Sequence, residues 1–343
     1  MRCLKPTIAW ICGTTYCKAD GLLSPRIVFS PNDAIAYYSK IYPDCDLSVL
    51  LERNQIELPC GKCAACQIRK RKDMSVRLCH ERMMCAQAVF VTLTYNDDSV
   101  PVTDDKPFFV DSNRHKDDSK RFSRGISNGL HPTLLSSDLQ KFIKRLRWHL
   151  GYRGTKSAKG RFDYCPNIRY FAVGEYGTHT HRPHYHLIIY GVNRLSGVGL
   201  TAILRFLLFR PPLPNTCARY VTKKFARLEQ KISCHLALVP EFTLQSVRHG
   251  GIGATWFHRF GVDACKVGLT SIVVNGRVSK CSLPQYYLRL LRKHYPQVYI
   301  DLRNSRIDFV KRNVGNLVTF DDLKRSVEVA MLTDRYQSYG EIF

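Results

Sequence analysis

Two strand-forming runs joined by a short polar stretch constrain this chain more than any other segment. Residues 169–177 read RYFAVGEYG, and residues 182–191 read RPHYHLIIYG. Both are rich in aromatic and β-branched residues, the first ends in Gly, and Pro183 stands where a strand tolerates proline, at its start. The stretch Thr178–Arg182 connects them as a hairpin, which brings the end of the first run beside the start of the second. His184 and His186 are two apart, so on a strand both imidazoles project from one face, and the hairpin sets Glu175 across from them. Two neutral imidazoles and a carboxylate can hold a divalent metal and leave positions open for water or a phosphate oxygen. In a chain with 12 His, composition alone yields roughly 0.4 pairs at this spacing, so the strand context carries the argument. The competing reading makes His179, His181, His184 and His186 polar turn residues and strand-face fillers.

Charge narrows the partner. The 52 Lys+Arg against 28 Asp+Glu give a net charge of +24, a field that attracts a polyanion, of which nucleic acid is the usual one. An anionic membrane surface competes, but no apolar run reaches the length of a spanning helix, and residues 8–12 (IAWIC) are too short for a signal-peptide core. A cytosolic chain without membrane association is therefore expected. In that compartment the 14 cysteines read as thiols or metal ligands rather than disulfides. Cys60, Cys63 and Cys66 stand at CxxCxxC spacing, suited to a structural Zn²⁺ with Cys3, Cys12, Cys17 or Cys45 as fourth ligand. An iron–sulfur site uses the same spacing, and plain apolar packing of the thiols is the third option.

The remaining pattern predicts an α+β chain. Residues 1–85 form a Cys-containing extension ending in a basic helix from Gln67 to Arg82, docked on one side and turning Arg69, Lys70, Arg71, Lys72, Arg77 and Arg82 toward phosphate or solvent. Residues 86–232 form the central domain. It opens with a strand, residues 88–95, carrying Thr92 and Thr94 on one face. A long polar stretch follows, and then a capping box at Ser137 and Gln140 starts an amphipathic helix with Leu139, Phe142, Ile143, Leu146 and Leu150 on its apolar side. Leu200–Arg210 is expected to be helical, and a further helix runs from about Thr216 to Gln230. On that helix Tyr220, Lys223 and Lys224 share a face and can meet one phosphate, or else pack and solvate as ordinary surface. Residues 233–343 form a C-terminal extension. Its Gly-rich segment 248–253 (RHGGIG) lacks a P-loop lysine and predicts no nucleotide site.

A His–hydrophobic–His strand followed by a helical Tyr-x-x-Lys resembles the HUH-type initiators of rolling-circle replication. The ordered motifs LPCGKC (58–63), FVTLTYND (90–97), GEYG (174–177), RPHYHL (182–187) and YVTKK (220–224) resemble the replication-associated proteins of the Microviridae, especially the gokushovirus or chlamydiaphage type. The resemblance spans roughly residues 58–260. It implies an HUH-type, ferredoxin/RRM-like antiparallel sheet with flanking helices, and Mg²⁺ or Mn²⁺ at His184, His186 and Glu175. It further implies Tyr220 as the nucleophile that becomes linked to a 5′-phosphate, with Lys223 or Lys224 beside it. The implied activity is nicking of a viral double-stranded origin in the host cytoplasm, followed by rejoining of the displaced strand. The implied partners are origin DNA in single- and double-stranded form, a host replication helicase and polymerase, and a second copy in a homodimer. One departure stands out: related initiators often carry two tyrosines four apart, and the earlier position here is Thr216. The reading from another class is a zinc-containing DNA- or RNA-binding regulator without catalysis.

Overall fold

The computed structural model describes residues 3–16, 23–85, 87–103, 123–126, 130–149, 155–156, 162–163, 168–177, 180–192, 204–209, 238–247, 250–274 and 277–312. The chain is α+β, and it divides into two compact units. One gathers the residues up to Asp73 with Gly261–Thr270 and the segment from Ser282 onward; the other holds Met74–Phe260 with Ser271–Cys281.

In the first unit, β1 (Thr7–Tyr16) pairs antiparallel with β2 (Leu23–Val28) on one side and β3 (Gln55–Leu58) on the other. Helices α1 (Pro31–Ile41) and α2 (Leu47–Asn54) connect β2 to β3. Pro31 opens α1, where its missing N–H costs no helical bond. Tyr38 of α1 packs against Cys12 and Ala34 and donates its hydroxyl hydrogen bond to the Ile11 carbonyl at 2.7 Å. Helix α3 (Ala64–Met83) begins in this unit, and the division falls inside it.

The second unit is built on a five-stranded sheet. Its strands are β4 (Ala88–Tyr95), β10 (Arg169–Tyr176), β11 (Pro183–Tyr190), β12 (Leu204–Phe209) and β13 (Phe242–Gln245), in the order β12-β4-β11-β10-β13, with every pair antiparallel. Short strands β5 (Pro101–Thr103), β6 (Ser123–Arg124) and β7 (His131–Pro132) form a small sheet beside it, and β8 (Thr155–Lys156) pairs with β9 (Phe162–Asp163). Alternation divides the side chains between the two faces. Val91, Leu93, Tyr95, Ala172, Tyr185, Leu187 and Ile189 lie on one face, covered by Leu139, Phe142, Ile143 and Leu146 of α4 (Ser136–His149). Phe90, Phe171, Val173, Ile188 and Tyr190 lie on the other, where Leu78 of α3 and Ile252 cover one end. Tyr190 ties that cover down by donating to the Leu78 carbonyl at 3.0 Å.

Three expectations are corrected. The run Leu200–Arg210 is not helical: its described part is the strand β12, paired with β4 from Leu204↔Tyr95 to Phe209↔Phe90. A short continuous apolar run carries no helical period, and the outer backbone groups of β4 need hydrogen-bond partners that a strand supplies. Helix α4 starts at Ser136, one residue before the expected cap, and Ser137 Oγ is buried without a hydrogen-bond partner. Arg77 does not face phosphate. It is buried, and its Nε donates to the Ile252 carbonyl at 2.9 Å. No helix among the described residues is long and apolar enough to cross a membrane.

Candidate metal centre

The hairpin register sets Glu175 directly opposite His184, with Thr94 of β4 on the other side of the same row. His186 occupies the next row on that face, between Val173 and Thr92. This is the end of the sheet face away from the Leu78 and Ile252 cover. Side-chain exposures of 18% for His184, 12% for His186 and 8% for Glu175 leave the cluster reachable yet mostly shielded from water.

The three side chains converge. His184 Nε2 lies 2.8 Å and His186 Nε2 lies 3.0 Å from the same oxygen, Glu175 Oε1. Neighbouring ligands of an octahedral ion held at about 2.1 Å stand about 3.0 Å apart, so this spacing suits a small divalent cation. Donor chemistry agrees. His184 Nδ1 lies 3.1 Å from the Arg182 carbonyl, which can only accept, so Nδ1 carries the proton and Nε2 turns its lone pair toward the carboxylate. Facing lone pairs on a carboxylate and two imidazoles repel unless a cation, proton or metal, lies between them. Burial alone would raise the Glu175 carboxyl, but hydrogen bonds from His184 and His186 outweigh it and hold the group at about 2. The carboxylate is therefore ionised at neutral pH, as a metal ligand must be.

Outer contacts aim both rings. His186 Nδ1 lies 2.9 Å from Thr92 Oγ1, and its ring stacks at 16° on Phe90 with centroids 5.6 Å apart. Arg182, whose carbonyl receives His184, spans from the hairpin to the end of β4: its Nη2 donates to the Tyr95 carbonyl at 2.7 Å and its Nη1 pairs with Asp97 at 2.6 Å. Between the histidines, Tyr185 points to the opposite face. There its hydroxyl accepts the Leu135 N–H at 2.9 Å and lies 2.7 Å from the Tyr95 hydroxyl, which donates to Asp138 at 2.9 Å. Arg124 closes this network with two bonds to Asp138, at 2.8 and 2.9 Å. The strand bearing the ligands is thus pinned from behind, which limits how far the imidazoles can stray.

Sequence reasoning placed Thr92 and Thr94 on one face and gave Thr92 no role; the missing signal is the β4–β11 register. The tyrosines near the cluster are poor nucleophile candidates. Tyr185 and Tyr176 face away and are buried, which pushes the Tyr176 phenol up to about 12 and raises that of Tyr185 as well. Tyr190 is buried against Leu78. Tyr220, Lys223, Lys224 and Thr216 lie outside the described residues. Part of the Gly-rich segment is described, and there the Gly253 N–H is taken by Glu81 Oε2 at 2.6 Å, so a side chain already fills the place of an anion.

In the first unit, Cys60, Cys63 and Cys66 meet Cys3, with all four sulfurs within 4.8 Å of one another. Cys12 belongs to the separate cluster around Tyr38, Cys45 is exposed, and Cys17 lies outside the described residues.

Comparison with known proteins bears on this geometry. Residues 88–229 match a family model of replication-associated proteins of the ORF2 type, a span containing β4, β10 and β11 and hence all three metal-ligand candidates. The chain is 24% identical over 294 residues to replication-associated protein VP4 of Bdellovibrio phage phiMH2K, covering 80% of this chain and 77% of the relative. It is 24% identical over 284 residues to replication-associated protein ORF2 of Spiroplasma virus 4, covering 75% of each. It is 27% identical over 135 residues to replication-associated protein ORF4 of Chlamydia phage 1, covering 39% of this chain and 24% of that one. No solved structure matches the chain. Together these similarities support a phage rolling-circle replication protein.

Proposed function

We propose that this chain, similar to phage replication-associated proteins and carrying a His–Glu–His cluster, is a metal-dependent DNA endonuclease and strand transferase of the HUH type. It acts on the viral origin in the host cytoplasm. The observation that carries the reading is the convergence of Glu175, His184 and His186 on one point at the open end of the sheet face. The net charge of +24 supports a polyanionic substrate.

In this reading Glu175, His184 and His186 hold Mg²⁺ or Mn²⁺. The ion, when bound, polarises the scissile phosphate and offsets charge that builds on its oxygens. The chain supplies the rest. Tyr220 attacks phosphorus through its phenolic oxygen. The new O–P bond forms as the bond to the 3′-oxygen breaks, leaving a 5′-phosphotyrosine and a 3′-hydroxyl that has taken up a proton. Lys223 and Lys224 favour the phenolate, because a phenol with an ordinary pKa of about 10 is a weak nucleophile at neutral pH. The freed 3′-hydroxyl primes synthesis by the host polymerase behind its helicase, and the phosphotyrosine conserves the bond energy needed to rejoin the displaced strand. With Thr216 where related initiators place a tyrosine, the second nucleophile comes from another residue or from a second copy in a homodimer.

The test is incubation of the full chain with a single strand carrying the origin of its own phage and Mn²⁺, followed by a denaturing gel. A covalent adduct that disappears with the paired change His184→Ala and His186→Ala supports the reading. Reversible retention of DNA without an adduct overturns it in favour of a non-catalytic nucleic-acid-binding regulator.

A further inference from the structure

We propose that Cys3, Cys60, Cys63 and Cys66 bind one Zn²⁺ as a tetrahedral four-thiolate structural site, with Cys3 as the fourth ligand. The site is separate from the His–Glu–His cluster and does not depend on the nuclease reading.

Geometry selects the ion. Four sulfurs bonded to one zinc at about 2.3 Å occupy a tetrahedron with edges of about 3.8 Å. The Cys3 and Cys63 sulfurs are 3.6 Å apart, and all four lie within 4.8 Å of one another. A four-iron cluster is too large for this arrangement, because its cysteine sulfurs ride outside a cube of iron and sulfide and stand farther apart. Cys12 and Cys45 take no part, so the set is specific rather than a general gathering of thiols.

The backbone around the sulfurs is built for thiolates. The segment Cys60–Cys63 turns tightly through Gly61, whose φ of +72° lies in the left-handed region that favours glycine. That turn aims the N–H groups of Lys62 and Cys63 at Cys60 Sγ, at 3.4 and 3.3 Å. The Cys60 N–H points at Cys3 Sγ at 3.3 Å, and the Leu4 N–H at Cys63 Sγ at 3.4 Å. Four backbone donors directed at three sulfurs offset the negative charge that four thiolates would bring to a single cation. The Gly61 carbonyl accepts from Gln67 Nε2 and Lys70 Nζ, each at 3.0 Å, which fixes the turn to the first turns of α3.

Placement gives the site its purpose. Cys3 precedes β1, Cys60 follows β3, and Cys63 and Cys66 flank the start of α3; the β1–β3 ladder ends at the pair Thr7↔Leu58. One ion therefore joins the entry of the first strand, the exit of the third and the head of the basic helix. It closes a loop that begins at Cys3 and ends at Cys60, so the benefit falls on the folding of this unit.

The full chain is purified without chelator, its metals are quantified, and zinc release is followed as a mercurial reagent titrates the thiols. One zinc per chain is expected, retained when His184 and His186 are replaced by Ala. Replacement of zinc by Co²⁺ should give the intense visible bands and sulfur-to-cobalt charge transfer of a tetrahedral thiolate site. Cys3→Ser should weaken zinc binding by more than the 10- to 100-fold typical of losing an outer contact, and Cys12→Ser should leave it unchanged. If Cys3→Ser fails to fold, Cys3→His supplies an alternative ligand: zinc should stay and the cobalt bands should shift. Unchanged cobalt bands in that variant, or wild-type zinc affinity in Cys3→Ser, overturn Cys3 as a ligand. Iron with sulfide in place of zinc, or a metal-free chain with these thiols paired as disulfides, overturns the site.

Discussion

Thr92→Val isolates one contact behind the metal ligands. Val keeps the β-branched shape that β4 favours and replaces the hydroxyl by a methyl, so the sheet face stays filled. What is lost is the 2.9 Å bond between Thr92 Oγ1 and His186 Nδ1. A ligand that coordinates through Nε2 carries its proton on Nδ1, so Thr92 is the acceptor that fixes both tautomer and ring angle. Deleting such an outer partner typically weakens metal binding 10- to 100-fold, or about 1.4–2.7 kcal/mol. The cost to folding should be about 1 kcal/mol, the net worth of one hydrogen bond. Mn²⁺ is the appropriate probe, since it prefers oxygen and nitrogen donors and the cysteine cluster will not compete for it. Free Mn²⁺ is followed by its paramagnetic resonance signal as protein is added at neutral pH. Thr94→Val is the matched control: Thr94 stands opposite His184, whose Nδ1 already has the Arg182 carbonyl, so this change should leave Mn²⁺ affinity unaltered. If Thr92→Val binds Mn²⁺ as tightly as wild type, the strand and the Phe90 stack alone orient His186, and Thr92 has no positioning role.

Three further outcomes follow from the same geometry. Glu175→Gln keeps the side-chain shape but removes the charge between the imidazoles; Mn²⁺ titration should show binding severely weakened while circular dichroism shows the fold retained. Tyr220→Phe removes one oxygen, so the denaturing gel should lose the adduct entirely while DNA retention and Mn²⁺ affinity persist; an adduct that survives and maps to another tyrosine refutes its assignment as nucleophile. Burial holds His80, stacked 3.5 Å from the Trp256 ring centroid, at about 4 rather than 6.5, so the unfolded chain binds its proton first and stability falls as pH drops from 6.5 toward 4. That loss should be about 1.4 kcal/mol per pH unit and about 3 kcal/mol in all, and urea unfolding of His80→Gln should show a correspondingly flatter dependence over that window.

What could be read from the sequence is whatever depends on local periodicity. The alternation in 169–177 and 182–191 predicts a hairpin, and β10 pairs with β11 through Glu175↔His184. The apolar spacing of Leu139, Phe142, Ile143 and Leu146 predicts an amphipathic helix, and α4 buries those residues. What could not be read depends on which strand meets which. Thr92 becomes a partner of His186 only through the β4–β11 register, and β12 is a strand because β4 has an edge to complete. Cys3 meets Cys60 across the β1–β3 ladder, a pairing with no local signature. Arg77 looks like one more basic residue on α3 until Ile252, far along the chain, offers its carbonyl.

Alternation along a single strand explains why the two histidines can serve as a site at all. Residues 184, 186, 188 and 190 of β11 face one way, and 185, 187 and 189 face the other. On the second face Leu187 and Ile189 lie in the core under α4, and Tyr185 is bonded to Leu135 and to the Tyr95–Asp138–Arg124 network. On the first face Ile188 and Tyr190 lie under Leu78 and Ile252, while His184 and His186 extend past that cover. The strand is thus held on both faces at one end and from behind at the other. Imidazoles fixed this way lose little freedom when a cation arrives, and the open side remains for a phosphate to approach. The same arrangement makes a network residue such as Tyr185 important without any contact to metal. Loss of its hydroxyl would leave the buried Leu135 N–H without its acceptor and loosen the strand that aims both histidines.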